Sequence, residues 1–84
     1  MTHITTIRHE SWTIARAFVG PDSEKEAIAF LHECTQPERE AWDGTGEAVE
    51  DGMTPDEAWT AVCLSESWLL DEAETDGDVH ATLL

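Results

Sequence analysis

A single α+β domain, with a small N-terminal β-hairpin packed on three to four helices, is the expectation for these 84 residues. Three observations carry it. The first twenty residues are rich in β-branched and aromatic side chains around one polar break. Three later segments open on helix-start signals. The length admits only one core, because domains usually span roughly 100–200 residues.

The hairpin pairs His3–Arg8 with Trp12–Val19 across His9-Glu10-Ser11. Alternation along the second strand puts Trp12, Ile14, Arg16 and Phe18 on one face and Thr13, Ala15, Ala17 and Val19 on the other. Gly20-Pro21 ends the strand. Ser23 with Glu26 three residues on forms a capping-box pattern, and Ala27, Phe30, Leu31 and Cys34 come next at helical spacing, predicting a helix over 24–34. Pro37, just after Thr35, starts a short helix through Trp42 and Asp43 that stops at Gly44. Thr45 to Asp51 are expected to make a further turn or two of helix before Gly52. Thr54-Pro55-Asp56-Glu57 combines an N-cap, a proline at the first helical position and acids in the first turn, and opens a helix to about Ala73. Asp76-Gly77-Asp78 reads as a turn. Val79, Ala81 and Leu83 then alternate and could add a third antiparallel strand to the hairpin, a frayed tail being the alternative.

The long helix so drawn has two apolar sides. Trp59, Val62, Cys63, Leu69, Leu70 and Ala73 share one stripe, while Ala61, Leu64 and Trp68 lie opposite. The second side is either sandwiched within the fold or left for a partner, in which case Trp68 is an accessible anchor. Glu66 falls inside the first stripe and needs either a cation partner, for which Arg16 is the natural candidate, or a path past the stripe's edge.

Charge is the most informative property. Nineteen acids against four Lys and Arg give a net charge of −15. Residues 1–36 hold five acids and three bases and are near neutral; residues 37–84 hold fourteen acids and only Arg39. Such a chain is repelled by DNA, RNA and anionic membranes, which excludes direct binding to any of them. No apolar run approaches the ~20 residues of a membrane span. Arg8, His9, Glu10 and Arg16 interrupt the region where a secretory signal would need an apolar stretch. A soluble, cytoplasmic protein is expected, with Cys34 and Cys63 as reduced core residues. Self-repulsion and small size make the fold marginal, and a homodimer is one way to hold it.

Catalytic chemistry is not expected. There is no Gly-rich phosphate loop, no nucleophile elbow and no tyrosine. His32, Cys34, Cys63 and His80 lack the paired spacing of a zinc clamp. Glu72 to Val79 matches the first eight positions of a calcium loop, but Leu83 stands where the bidentate glutamate belongs. No metal or cofactor is expected.

The acids themselves are the candidate binding residues. Helical spacing would place neighbouring carboxylates roughly 5–6 Å apart, a step comparable to that between phosphates along a nucleic-acid strand. Glu47, Glu50 and Asp51 form one such row, extended by Glu40 and Asp43. Asp71, Glu72, Glu74, Asp76 and Asp78 form a second cluster. Two carboxylate rows on a folded scaffold can enter a basic groove built for nucleic acid.

In length, charge and lack of catalytic motifs the chain resembles the small acidic inhibitors that phages direct against bacterial immunity, the anti-CRISPR and anti-restriction DNA mimics. That resemblance implies a large basic nucleic-acid-binding protein or complex as partner, such as a CRISPR effector in a host bacterial cytoplasm. The competing expectation is an acidic protein-interaction module, an antitoxin or adaptor, docking through an apolar Trp68/Leu64 face.

Overall fold

The computed structural model describes residues 2–75. Along the chain run β1 (Thr2–His9), β2 (Ala15–Val19), α1 (Ser23–Cys34), α2 (Gln36–Ala41), α3 (Pro55–Glu66) and β3 (Trp68–Thr75). The strands make one antiparallel sheet in the order β2-β1-β3. The α+β architecture and the hairpin are as expected, with three helices among the described residues.

Alternation along β1 decides where the helices sit. Thr5 and Ile7 are fully buried, and their cross-strand partners Phe18 and Arg16 on β2 and Glu72 and Leu70 on β3 share their face. The core of Ile7, Ala27, Leu31, Trp59, Val62, Cys63 and Trp68 lies between that face and the helices. The opposite face, with Thr2, Ile4, Thr6 and Arg8 at its centre, carries no helix among the described residues.

Local chemistry sets the start of α3 and the break between α1 and α2. Thr54 and Glu57 close a capping box: the Thr54 hydroxyl accepts from the Glu57 N–H at 3.2 Å, and the Glu57 carboxylate accepts from the Thr54 N–H at 3.2 Å. Thr35 is the hinge between α1 and α2; its hydroxyl donates to the Leu31 carbonyl at 2.8 Å and accepts from the Trp59 indole N–H at 2.8 Å.

Several sequence expectations change. The short helix α2 ends at Ala41, with Trp42 already extended, and does not run through Asp43. The third strand is Trp68–Thr75, whereas the expected Val79–Leu83 strand lies outside the described residues. Accordingly α3 ends at Glu66 and not near Ala73. The run Trp68-Leu-Leu-Asp-Glu-Ala-Glu fits a period of two as well as 3.6, and eight consecutive pairings with β1 outweigh helix propensity. Residues 45–51 form no helix: the Val49 N–H bonds to the Gly46 carbonyl and the Met53 N–H to the Glu50 carbonyl, making two successive turns. Gly52, at φ 92°, supplies the left-handed position of the second. Trp12 leaves the Ile14/Arg16/Phe18 face because its own φ is 62°, and its ring lies under Arg8, 4.0 Å from the guanidinium carbon.

The expected Glu66–Arg16 pair is absent. Arg16 sits on the α1 side of the sheet, over Phe18 and Phe30 at 5.1 and 5.4 Å, while Glu66 is exposed at the end of α3. Because α3 stops there, no apolar stripe continues past Glu66 and no cation is required.

The Thr5 and Ser23 hydroxyls, both fully buried, bond to each other at 2.8 Å and tie β1 to the first turn of α1. Ser23→Ala strands the Thr5 hydroxyl and is expected to cost about 1–3 kcal/mol in urea unfolding. Adding Thr5→Val should recover most of that loss, because the unpaired hydroxyl is then gone.

Candidate interaction surface

All seventeen Asp and Glu side chains among the described residues are exposed, but the fold sorts them differently from the expected rows. Glu40 lines a shallow cleft with His32, Glu33, Gln36 and Arg39. Asp43 is turned inward on its own loop, accepting from the Thr45 N–H at 3.0 Å and the Thr45 hydroxyl at 2.6 Å. These bonds hold its carboxyl below the usual range. Glu47, Glu50 and Asp51 sit on the two turns, with Glu47 and Asp51 in equivalent second positions. The row expected on a helix is therefore a pair of loop tips.

On β3 the period of two divides the second cluster. Glu72 and Glu74 face the helical side, whereas Asp71 faces the bare side of the sheet. Asp76 and Asp78 lie outside the described residues. Trp68, expected as an accessible anchor, is only 7% exposed; it sits on the inner face of β3, edge-on to His9 at 5.1 Å.

Two groupings replace the rows. At the start of α1, Glu24 lies beside Glu72, and His3 donates to Glu72 at 3.1 Å with Glu74 at 3.7 Å. Glu24 keeps its proton above the ordinary range because Glu72 is its neighbour; Glu72 is pulled down, first by His3 and then by Glu24. At the other end, Glu38 from α2 and Glu66 from α3 line one cleft of about 340 Å³, and Glu47 lines the adjoining one with Glu66. Gly46 makes that approach close, since a Cβ there would meet the Val62 side chain at 3.2 Å. Nothing in the spacing of Glu38, Glu47 and Glu66 announces this; it needs the turn at 46–49 to fold back on α3.

The cleft shared by Glu38 and Glu66 also holds His9, Thr35, Cys34 and Cys63. Both cysteines are free, and burial pushes both thiols up, so neither is a ready nucleophile. No group of His, Cys, Asp and Glu among the described residues is arranged to hold a metal ion, and no described helix is long and apolar enough to cross a membrane.

One ion pair joins the helices: Arg39 contacts Asp56 at 2.6 Å. Arg39 also donates to His32 Nδ1 at 3.3 Å, and the other ring nitrogen of His32 lies 2.6 Å from the Thr60 hydroxyl. Thr60 donates its own proton to the Asp56 carbonyl, so it accepts from His32 Nε2–H. The ring is thereby fixed as neutral, and burial lowers its pKa. His3 is shifted the other way by its bond to Glu72. His32 thus adds stability that is complete above pH 6.5 and is lost as pH falls through its folded pKa. His3 adds stability below pH 6.5 that is lost as pH rises through its own. Ring-proton NMR should find His32 titrating below 6.5 and His3 above it. His32→Asn should remove the matching part of the acid-side loss in melting temperature.

Comparison of the chain with protein-family models, curated proteins and solved structures finds no match.

Proposed function

We propose that this protein is a non-enzymatic inhibitor that imitates nucleic acid and occupies the basic nucleic-acid-binding site of a bacterial defence complex, such as a CRISPR effector. The observation that supports this is the one-sided placement of its charge. The helical side and the loops carry nearly all the exposed acids, and of the sheet's outward-facing strand positions among the described residues only Asp71 is acidic. Among the described acids, only Asp56, Glu72 and Glu74 have a basic side chain within ion-pair distance, so most of this field is available to a partner. Docking into a Lys/Arg-lined groove would release counterions from both surfaces, as nucleic acid itself does.

The test is displacement of a labelled target duplex from a guide-loaded effector, read by fluorescence anisotropy. The chain should compete, and the concentration for half-displacement should rise by about tenfold or more between low and physiological salt. Failure to displace duplex from any of a panel of basic effectors, or displacement indifferent to salt, rejects the reading.

A second reading draws on a separate feature. Ile28, Ala29, Met53, Ala61 and Leu64 line a groove between α1 and α3, the form in which the second apolar side of α3 survives. An adaptor or antitoxin would seat an amphipathic helix there. Binding lost in Leu64→Lys but kept after acid reversal would favour it.

A further inference from the structure

The face of the sheet without helices differs from the rest of the surface. Its strand residues are Thr2, Ile4, Thr6 and Arg8 on β1, Ala15, Ala17 and Val19 on β2, and Leu69, Asp71 and Ala73 on β3. In a chain of net charge −15, this face holds one base and one acid and is neutral. The three large apolar side chains most exposed in the described structure all belong to it: Trp12 at 68%, Val19 at 49% and Leu69 at 42%. Trp12 joins them through the left-handed backbone that lays its ring against Arg8. For a non-glycine residue that conformation is strained, and here it holds an indole in solvent.

We propose that this face is a self-association surface, and that its occupant is the same face of a second copy, packed sheet against sheet. Charge selects the occupant. An acidic partner surface would be repelled by the rest of the molecule, and a strongly basic one would be drawn to the helical side. A second copy presents a neutral apolar face and keeps its own acids on the far side. The two charges are self-complementary as well. Arg8 lies opposite Leu69 and Asp71 opposite Thr6, so they occupy diagonal positions on neighbouring strands. A two-fold axis between the sheets can then set Arg8 of each copy over Asp71 of the other.

The size of the face sets the strength. Three strands about 4.8 Å apart and five to eight residues long cover roughly 350 Å² per copy. Stable complexes bury about 800 Å² per partner, so the dimer is reversible and concentration-dependent.

Sedimentation equilibrium of the full chain tests this. The average mass should climb from 9.3 kDa towards twice that as concentration rises from about 10 μM to about 1 mM. Leu69→Lys and Val19→Lys should each cut the association constant by about tenfold or more, with circular dichroism unchanged. Arg8→Asp and Asp71→Arg should each weaken it, and the two together should restore it to within about threefold. Leu64→Lys, in the groove on the other side, should change nothing. A mass of 9.3 kDa throughout overturns the proposal, and the face then belongs to residues 76–84 or to an unlike partner. A dimer that survives Leu69→Lys, or a double swap no better than its singles, overturns it too.

Discussion

Trp59→Ala is expected to leave the chain unfolded at room temperature. The indole is 6% exposed, and it reaches the α1–α2 hinge from α3, through its N–H to the Thr35 hydroxyl at 2.8 Å. Its ring packs at 5.2 Å against Trp42, whose own N–H donates to the Thr45 carbonyl at 2.7 Å. Removing Trp59 therefore opens the core and loosens both the hinge and the loop after α2. Truncating a buried tryptophan costs about 3–5 kcal/mol, which matches the whole stability of a domain this small. Trp59→Phe keeps most of the packing and loses only the hydrogen bond, for about 1 kcal/mol. Circular dichroism and urea titration separate the two variants. A cooperative, native-like transition in Trp59→Ala would mean that Ile7, Leu31 and Trp68 hold the fold without it.

Reversing Glu38, Glu47 and Glu66 to lysine should abolish duplex displacement, by about a hundredfold or more, while the fold is kept or strengthened. The three are exposed and line adjoining clefts at one end of the molecule. No basic side chain among the described residues lies within ion-pair distance of them, so reversal breaks no ion pair there and reduces self-repulsion. Reversing Glu47, Glu50 and Asp51 instead should have a smaller effect, because only Glu47 of that set joins the cluster. Equal losses from both triples would return weight to the loop tips as the contact surface. A rise in melting temperature for the first triple, largest at low salt, checks the self-repulsion argument independently of any partner.

The parts of the fold legible in the sequence are those that local chemistry decides. Pro37 and the Thr54-Pro55-Asp56-Glu57 run mark helix starts because orphan N–H groups and the fixed φ of proline act within one turn; the Ser23/Glu26 box expected for α1 does not form, since the Ser23 hydroxyl bonds to Thr5 and the N-cap is Asp22 with no side-chain bond. The hairpin is legible for the same kind of reason. The segment after Glu66 is not, because Trp68, Leu70, Glu72 and Glu74 satisfy helix and strand patterns alike. The choice rests on β1, sixty residues away, which needs a second neighbour. That single decision buried Trp68 and divided the second acidic cluster between two faces. The first acidic row failed through its backbone: once residues 46–53 fold as turns, helical spacing no longer says which carboxylates are neighbours. The Glu38–Glu47–Glu66 grouping is a tertiary fact and left no mark on the spacing of its members.

β3 has β1 as its one hydrogen-bonded neighbour among the described strands, which leaves eight residues of backbone along the sheet's margin. Such a margin is a template for further strands from other molecules, and proteins commonly guard it with charge. Here the guard is Asp71, Glu72 and Glu74, three carboxylates within four residues. Neutralising them by acid removes the guard while leaving the ladder in place. Fibril growth below the carboxylate range, seeded along this strand, is the hazard built into a molecule whose charge otherwise guards this margin.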